Sequence, residues 1–163
     1  MSCSLCAGAT TETSGSAVAL GVGVGGMGVD VGCNSIDAGA GAVRTVHPDA
    51  VVLPYAPRIV VYYCGSNDLK STPADAPNVI FGRFREFSQR LHATLPATRL
   101  VYVSATRSPD RVVRWEHVDH YNALVRAYCA ATPGHTFIDI NPALVDAIGH
   151  PRLDLYRDDK LHF

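Results

Sequence analysis

Three β-branched or aromatic runs, each followed by a stretch of different periodicity, constrain this chain more than any other feature. Arg58-Ile59-Val60-Val61-Tyr62-Tyr63, with Pro57 before it and Gly65 after it, reads as a buried strand. Residues 78–94 then place Ile80, Phe84, Phe87 and Leu91 on one face at helical spacing. Thr72-Pro73 offers the start of an earlier turn, which Pro77 interrupts. The next strand covers Arg99 to Ser104. A helix over 113–131 buries Val118, Tyr121, Val125 and Tyr128. A third strand, His135 to Ile140, leads into a short helix over 142–148 closed by Gly149. Strands alternating with helices demand a parallel sheet with helices on its faces. Parallel strands put their exit loops on one edge. Asn67, Thr106-Arg107-Ser108-Pro109, Asn141 and the Asp159/His162 pair are therefore expected to converge there.

At 163 residues the chain fits one domain, and its 47% apolar content can fill a core. A net charge of −1 gives no electrostatic case for nucleic acid or an anionic membrane. The five cysteines, Cys3, Cys6, Cys33, Cys64 and Cys129, form no regular framework, and Cys64 and Cys129 read as core thiols. No basic segment followed by an apolar stretch marks a signal peptide, so a cytoplasmic location is the default. Thr13 to Val29 is too short and too rich in glycine for a membrane span.

Composition changes near Arg44. Residues 1–45 hold most of the glycines and read as a low-complexity or degenerate N-terminal segment. Residues 1–30 are expected to be weakly packed, with short strands suggested only at Ala17-Val18-Ala19-Leu20 and Val29-Asp30-Val31. Residues 46–163 read as the α/β domain.

Two short patterns carry chemistry. Gly65-Ser66-Asn67-Asp68 follows the first strand of that domain, where an open α/β sheet binds ligands. The Asn67 amide can donate two hydrogen bonds to a developing oxyanion; Asn-Asp after Gly is also ordinary turn chemistry. Asp158-Asp159-Lys160-Leu161-His162 offers a carboxylate beside an imidazole, and also fits solvated polar residues near a terminus.

Gly-x-Asn-Asp followed by Asp-x-x-His resembles the SGNH (GDSL-type) hydrolases, from about His47 to Phe163 and including Val52-Leu53-Pro54-Tyr55-Ala56-Pro57-Arg58. The resemblance implies a flavodoxin-like three-layer α/β/α sandwich with a parallel sheet. It assigns Asn67 to an oxyanion hole, and Asp159 and His162 to a catalytic triad. Its spacing selects Asp159 over Asp158. It implies no cofactor and no metal, and a small-molecule ester as substrate. The family's Gly-Asp-Ser block is not in the sequence. Cys33-Asn34-Ser35-Ile36 is the nearest string, and Ser35 the nearest nucleophile. Too few residues separate Ser35 from Val52 for the family's intervening elements. Val29 to Ser35 is alternatively a remnant of the next block, with the nucleophile upstream near Ser14 and Ser16. The resemblance also implies a final helix after His162. The sandwich is thus expected to lack its first strand block and its final helix.

The readings that follow are a serine esterase acting on short acyl esters or O-acetylated sugars or lipids, and a catalytically inactive or truncated relative that binds a ligand or partner. A nucleotide site on Gly21-x-Gly23-x-x-Gly26 or Gly23-x-Gly25-x-x-Gly28 is weaker, because no helix follows the glycines. Cys3 and Cys6 have metal spacing without a second pair. Glu116-His117-Val118-Asp119-His120 reads as a solvated helix face with weak metal potential, and Arg107 and Arg114 as surface cations with an option on an anionic or polar substrate.

Overall fold

A computed structural model describes residues 17–21, 48–66, 68, 69 and 76–163, with 17–21, 50 and 51 described by backbone alone. The elements are β1 (Ala17–Gly21), α1 (Pro48–Val51), β2 (Ile59–Tyr63), α2 (Pro77–Thr94), β3 (Arg99–Val103), α3 (Trp115–Ala131) and β4 (His135–Ile138). Among the described residues the sheet runs in the order β1-β2-β3-β4, and every neighbouring pair is parallel. The fold is an α/β sandwich built on a parallel sheet.

The period-two burial of the strands follows from their pleat. Val60 and Tyr62 of β2 and Leu100 and Tyr102 of β3 are buried, whereas Ile59, Val61, Tyr63, Val101 and Val103 are half-buried. Helix α2 supplies Ile80, Phe84, Phe87 and Leu91, and α3 supplies Val118, Tyr121 and Val125. The aromatic rings interlock across the layers: Tyr62 meets Phe84 at 5.2 Å, Phe84 meets Tyr102 at 5.0 Å, and Tyr102 meets Tyr121 at 6.1 Å. Burying each such side chain contributes roughly 1.5–3 kcal/mol. That core makes β2 and β3 rigid up to the points where their exit loops begin.

The sheet crosses the compositional change near residue 45. Ala17 to Gly21 pairs along its whole length with Ile59 to Tyr63, so a strand does precede β2. Val29-Asp30-Val31 and the rest of residues 1–30 lie outside the described residues, as do Thr72 and Pro73.

One detail sharpens the sequence reading and two correct it. Pro77 opens α2, where its missing N–H and fixed φ cost the helix nothing. Residues 109–114 do not belong to α3 but form 3₁₀ turns kinked at Arg111 (φ −122°, ψ 39°), and the Trp115 indole N–H donates to Ser108 O at 2.9 Å. No α-helix covers 142–148. A 3₁₀ turn over Asn141–Leu144 gives way to a tight reversal, with Val145 bridged antiparallel to Pro151. Asp146 is the cause: its Oδ1 accepts the N–H of Ile148 and of His150, drawing the backbone out of the helical pattern. Gly149 takes the left-handed position (φ 87°) that closes the reversal.

Candidate active site

The Asp-x-x-His segment folds into a small self-contained unit. Asp159 Oδ1 accepts the backbone N–H of Leu161 at 2.9 Å and of His162 at 3.0 Å. Asp159 Oδ2 accepts the His162 Nδ1–H at 2.6 Å. Both carboxylate oxygens are thereby occupied, and the imidazole is left with Nε2 as its basic nitrogen. Asp158 has no such contact. The His162 side-chain hydrogen bond, aided by the two backbone donors, holds the Asp159 carboxyl far below the usual carboxylate range. Lys160, between them, sits in the left-handed region (φ 53°), which costs roughly 1–2 kcal/mol for an L-residue. The Lys160 N–H donates to Arg157 O at 2.8 Å, and the Arg157 N–H to His162 O at 2.7 Å, so the turn is held from both ends.

The exit of β2 is held as closely. Tyr102 donates from its hydroxyl to Cys64 O at 2.9 Å inside the core. Gly65 follows at φ 115°, and its carbonyl accepts the N–H of Asp68 at 3.0 Å and of Leu69 at 3.2 Å. Asn67 lies outside the described residues, and so does Ser35. The neighbours Ser66 and Asp68 are described, and Asp68 is buried.

The exit of β3 is pinned from below by two amides. Buried Asn122 grips the Ala105 peptide groups, accepting its N–H and donating to its carbonyl, both at 2.9 Å. Asn141, after β4, accepts the Arg107 N–H at 2.9 Å and donates to Ala105 O at 3.0 Å and Ser104 Oγ at 3.1 Å. Neighbouring Asp139 sits below the ordinary carboxylate range: burial pushes it up, but the Asn141 side chain and backbone and the Arg126 charge outweigh that.

Three contacts join these exits. The Thr106 N–H donates to Ser66 Oγ at 3.2 Å. The Arg111 guanidinium reaches Ser66 O at 3.4 Å. The Asp110 N–H donates to Lys160 O at 3.2 Å. The loops after β2, β3 and β4 and the Asp159–His162 turn therefore share one edge, the edge where the strand carboxyl ends lie. Such an arrangement can hold a base, its carboxylate partner and backbone donors around one acyl carbonyl.

Other candidates are placed differently. Arg107 is paired with Asp119 at 2.6 Å, which removes both from the list of open ligands. Among the described residues no three His, Cys, Asp or Glu side chains cluster as a metal site would require, and no helix is long and apolar enough to cross a membrane. A groove of about 840 Å³, lined by Arg107, Asp119, Asn122, Arg126, Asp139 and Asn141, runs along α3 and β4 and does not include Asp159 or His162. Sequence reasoning missed Asp110, Arg111 and Asn122. Only Asn122 carried a signal, as a polar residue next to Tyr121 on a helix face otherwise apolar.

The sequence matches the GDSL-like lipase/acylhydrolase family over residues 4–163, which extends well ahead of His47. No curated protein matches it. Among solved structures, a protein provisionally described as a platelet activating factor from Streptococcus pneumonia superposes with a TM-score of 0.55 at 19% identity, covering 66% of this chain and 52% of that one. A carbohydrate esterase family 3 protein from Talaromyces cellulolyticus does so with a TM-score of 0.53 at 18% identity, covering 68% and 51%. The chain thus spans about half the length of these two structures.

Proposed function

The chain belongs to the GDSL-like lipase/acylhydrolase family, and on that premise we propose that it is a serine ester hydrolase with His162 as its base and Asp159 as the partner of that base. The observation that carries this reading is the 2.6 Å contact from His162 Nδ1 to Asp159 Oδ2 on the sheet edge that also bears Gly65 and Ser66. In the proposed reaction His162 Nε2 takes the proton of a serine hydroxyl as Oγ bonds to the acyl carbon. Asp159 keeps the imidazole in the Nδ1–H tautomer and stabilises the imidazolium. The carbonyl electron pair moves onto oxygen, where the Asn67 amide and backbone N–H groups receive it. The intermediate collapses, the proton passes from His162 to the departing alkoxide, and an acyl-enzyme remains. Water then repeats the sequence and releases the acid.

Ser35 is the proposed nucleophile by local resemblance. Short acyl esters and O-acetylated sugars or lipids are the proposed substrates. The esterase and platelet-activating-factor descriptions of the two structural neighbours support that class.

A second reading, an inactive relative that binds a ligand, is favoured by one observation: the sequence contains no Gly-Asp-Ser block. A serine-reactive fluorophosphonate separates the two. Labelling that is lost in both Ser35→Ala and His162→Ala supports the hydrolase. Labelling of another serine moves the nucleophile, and no labelling of folded protein favours the inactive relative. In an active chain, Asn67→Ala should lower turnover about 10²–10³-fold, the usual effect of losing one oxyanion donor.

A further inference from the structure

The stretch after β3 splits its reach between two adjacent residues. From Asp110 the backbone N–H goes to Lys160 O, inside the Asp159–His162 turn, at 3.2 Å. From Arg111 the guanidinium goes the other way, to Ser66 O at 3.4 Å. We infer that Arg111 is a positioning residue: it fastens the 109–114 turn to the exit of β2, and through Asp110 that turn sets the place of the Asp159–His162 pair. The inference rests on the hydrolase reading.

The geometry at Arg111 fits a brace. Its backbone is the one non-helical point in the 109–114 segment, and this kink separates the Asp110 side from the Arg114 side. The turn has a second anchor beyond the kink, the Trp115 indole N–H on Ser108 O at 2.9 Å, so it is tied at its base and needs holding toward its tip. That tip carries Val112 and Val113, 57% and 89% exposed, which gain nothing from the core and leave the segment dependent on polar contacts. Arg111 is half-buried, and burial, with Arg114 nearby, pushes its pKa down. A guanidinium kept in that setting is compensated by acceptors such as the Ser66 carbonyl. On the other side, Lys160 holds a left-handed backbone, and the Asp110 N–H reaches its carbonyl from outside its own turn. Loss of the brace lets the Asp–His pair drift relative to the β2 exit, and misplacement on the order of 1 Å is costly in rate.

The test uses the full chain with Arg111→Ala, Arg111→Gln and Arg111→Lys, read on one neutral and one anionic acetate ester. A positioning role predicts a fall in kcat of about tenfold or more for Arg111→Ala on both esters, KM within about twofold, and partial recovery in Arg111→Lys. A second readout is the ¹⁵N and ¹H spectrum of the His162 imidazole, where the Nδ1–H signal bonded to Asp159 should weaken or broaden in Arg111→Ala. Unchanged kcat with an unchanged imidazole signal overturns the inference. So does an effect confined to KM for the anionic ester, which would make Arg111 a substrate contact. If Arg111→Ala does not fold, Arg111→Gln carries the same comparison. If the parent chain hydrolyses neither ester and takes no phosphonate label, the hydrolase reading falls, and the imidazole spectrum alone decides whether Arg111 positions the pair.

Discussion

Gly65 and Tyr121 meet so closely that a Cβ on Gly65 would lie 2.8 Å from Tyr121 Cε1. Tyr121 belongs to the core face of α3, and Gly65 is the residue on which β2 turns toward Ser66. The contact makes the start of the candidate site continuous with the aromatic core.

Gly65→Ala should therefore be costly on two counts. The position has φ 115°, a conformation that alanine rarely adopts, and the added methyl strikes a ring that is 1% exposed. Destabilisation of about 2–4 kcal/mol is expected, combining backbone strain and overpacking. A urea midpoint equal to that of the parent would show that the turn is not held as described.

Asp159→Asn separates orientation from folding. The amide oxygen can still accept the Leu161 and His162 N–H groups, but its NH₂ opposes the Nδ1–H of His162 and drives the imidazole toward the wrong tautomer. On the hydrolase reading turnover should fall roughly 10²–10⁴-fold, while the melting temperature drops only slightly because the pair is exposed and screened. In the parent, the lowered pKa of Asp159 fixes the sign of its pH effect. Its contribution to stability is fully present above the ordinary carboxylate range and is lost as pH falls through that range and below it. An Asp159→Asn protein that keeps full turnover would remove Asp159 from the mechanism.

Asn122→Ala should act through a single atom. The Ala105 carbonyl keeps its second donor, Asn141 Nδ2 at 3.0 Å, whereas the Ala105 N–H loses the acceptor it has in Asn122. One buried donor left unsatisfied costs about 1–3 kcal/mol. Equilibrium denaturation measures it, and faster exchange of the Ala105 amide should accompany it.

His135 gives the fold a dependence on pH away from the site. Burial lowers its pKa, the Pro133 carbonyl opposes that, and His92, stacked at 4.6 Å, adds to the lowering. Ser88 Oγ lies 2.6 Å from Nε2, an arrangement suited to a neutral ring that accepts from the hydroxyl. A depressed histidine contributes stability that is present above its ordinary pKa of about 6.5 and lost as pH falls toward the folded value. Urea midpoints at about pH 7.5 and about pH 5.5 should differ more in the parent than in His135→Gln. Equal differences would exclude His135 as the source.

Much of the fold could be read from the chain because its signals are local. Val60 and Tyr62, or Ile80, Phe84, Phe87 and Leu91, declare a strand or a helix through spacings of two or of three and four, which any window of residues displays. The Asp159–His162 unit was singled out through the family resemblance, which selected Asp159 over Asp158, although every bond inside it spans only a few residues. The 142–148 reversal was misread where a single residue overrides the period. At Asp146 a side chain takes the amides a helix would have used. The tertiary structure alone decided what surrounds the Asp–His turn. Asp110 meets Lys160, Arg111 meets Ser66, and Asn141 meets Arg107 across long stretches of chain, each with a backbone atom on at least one side. A backbone partner leaves no mark in residue type, so the sequence does not show which side chain meets which peptide, and only the parallel sheet, by gathering its strand ends on one edge, brings these contacts into being.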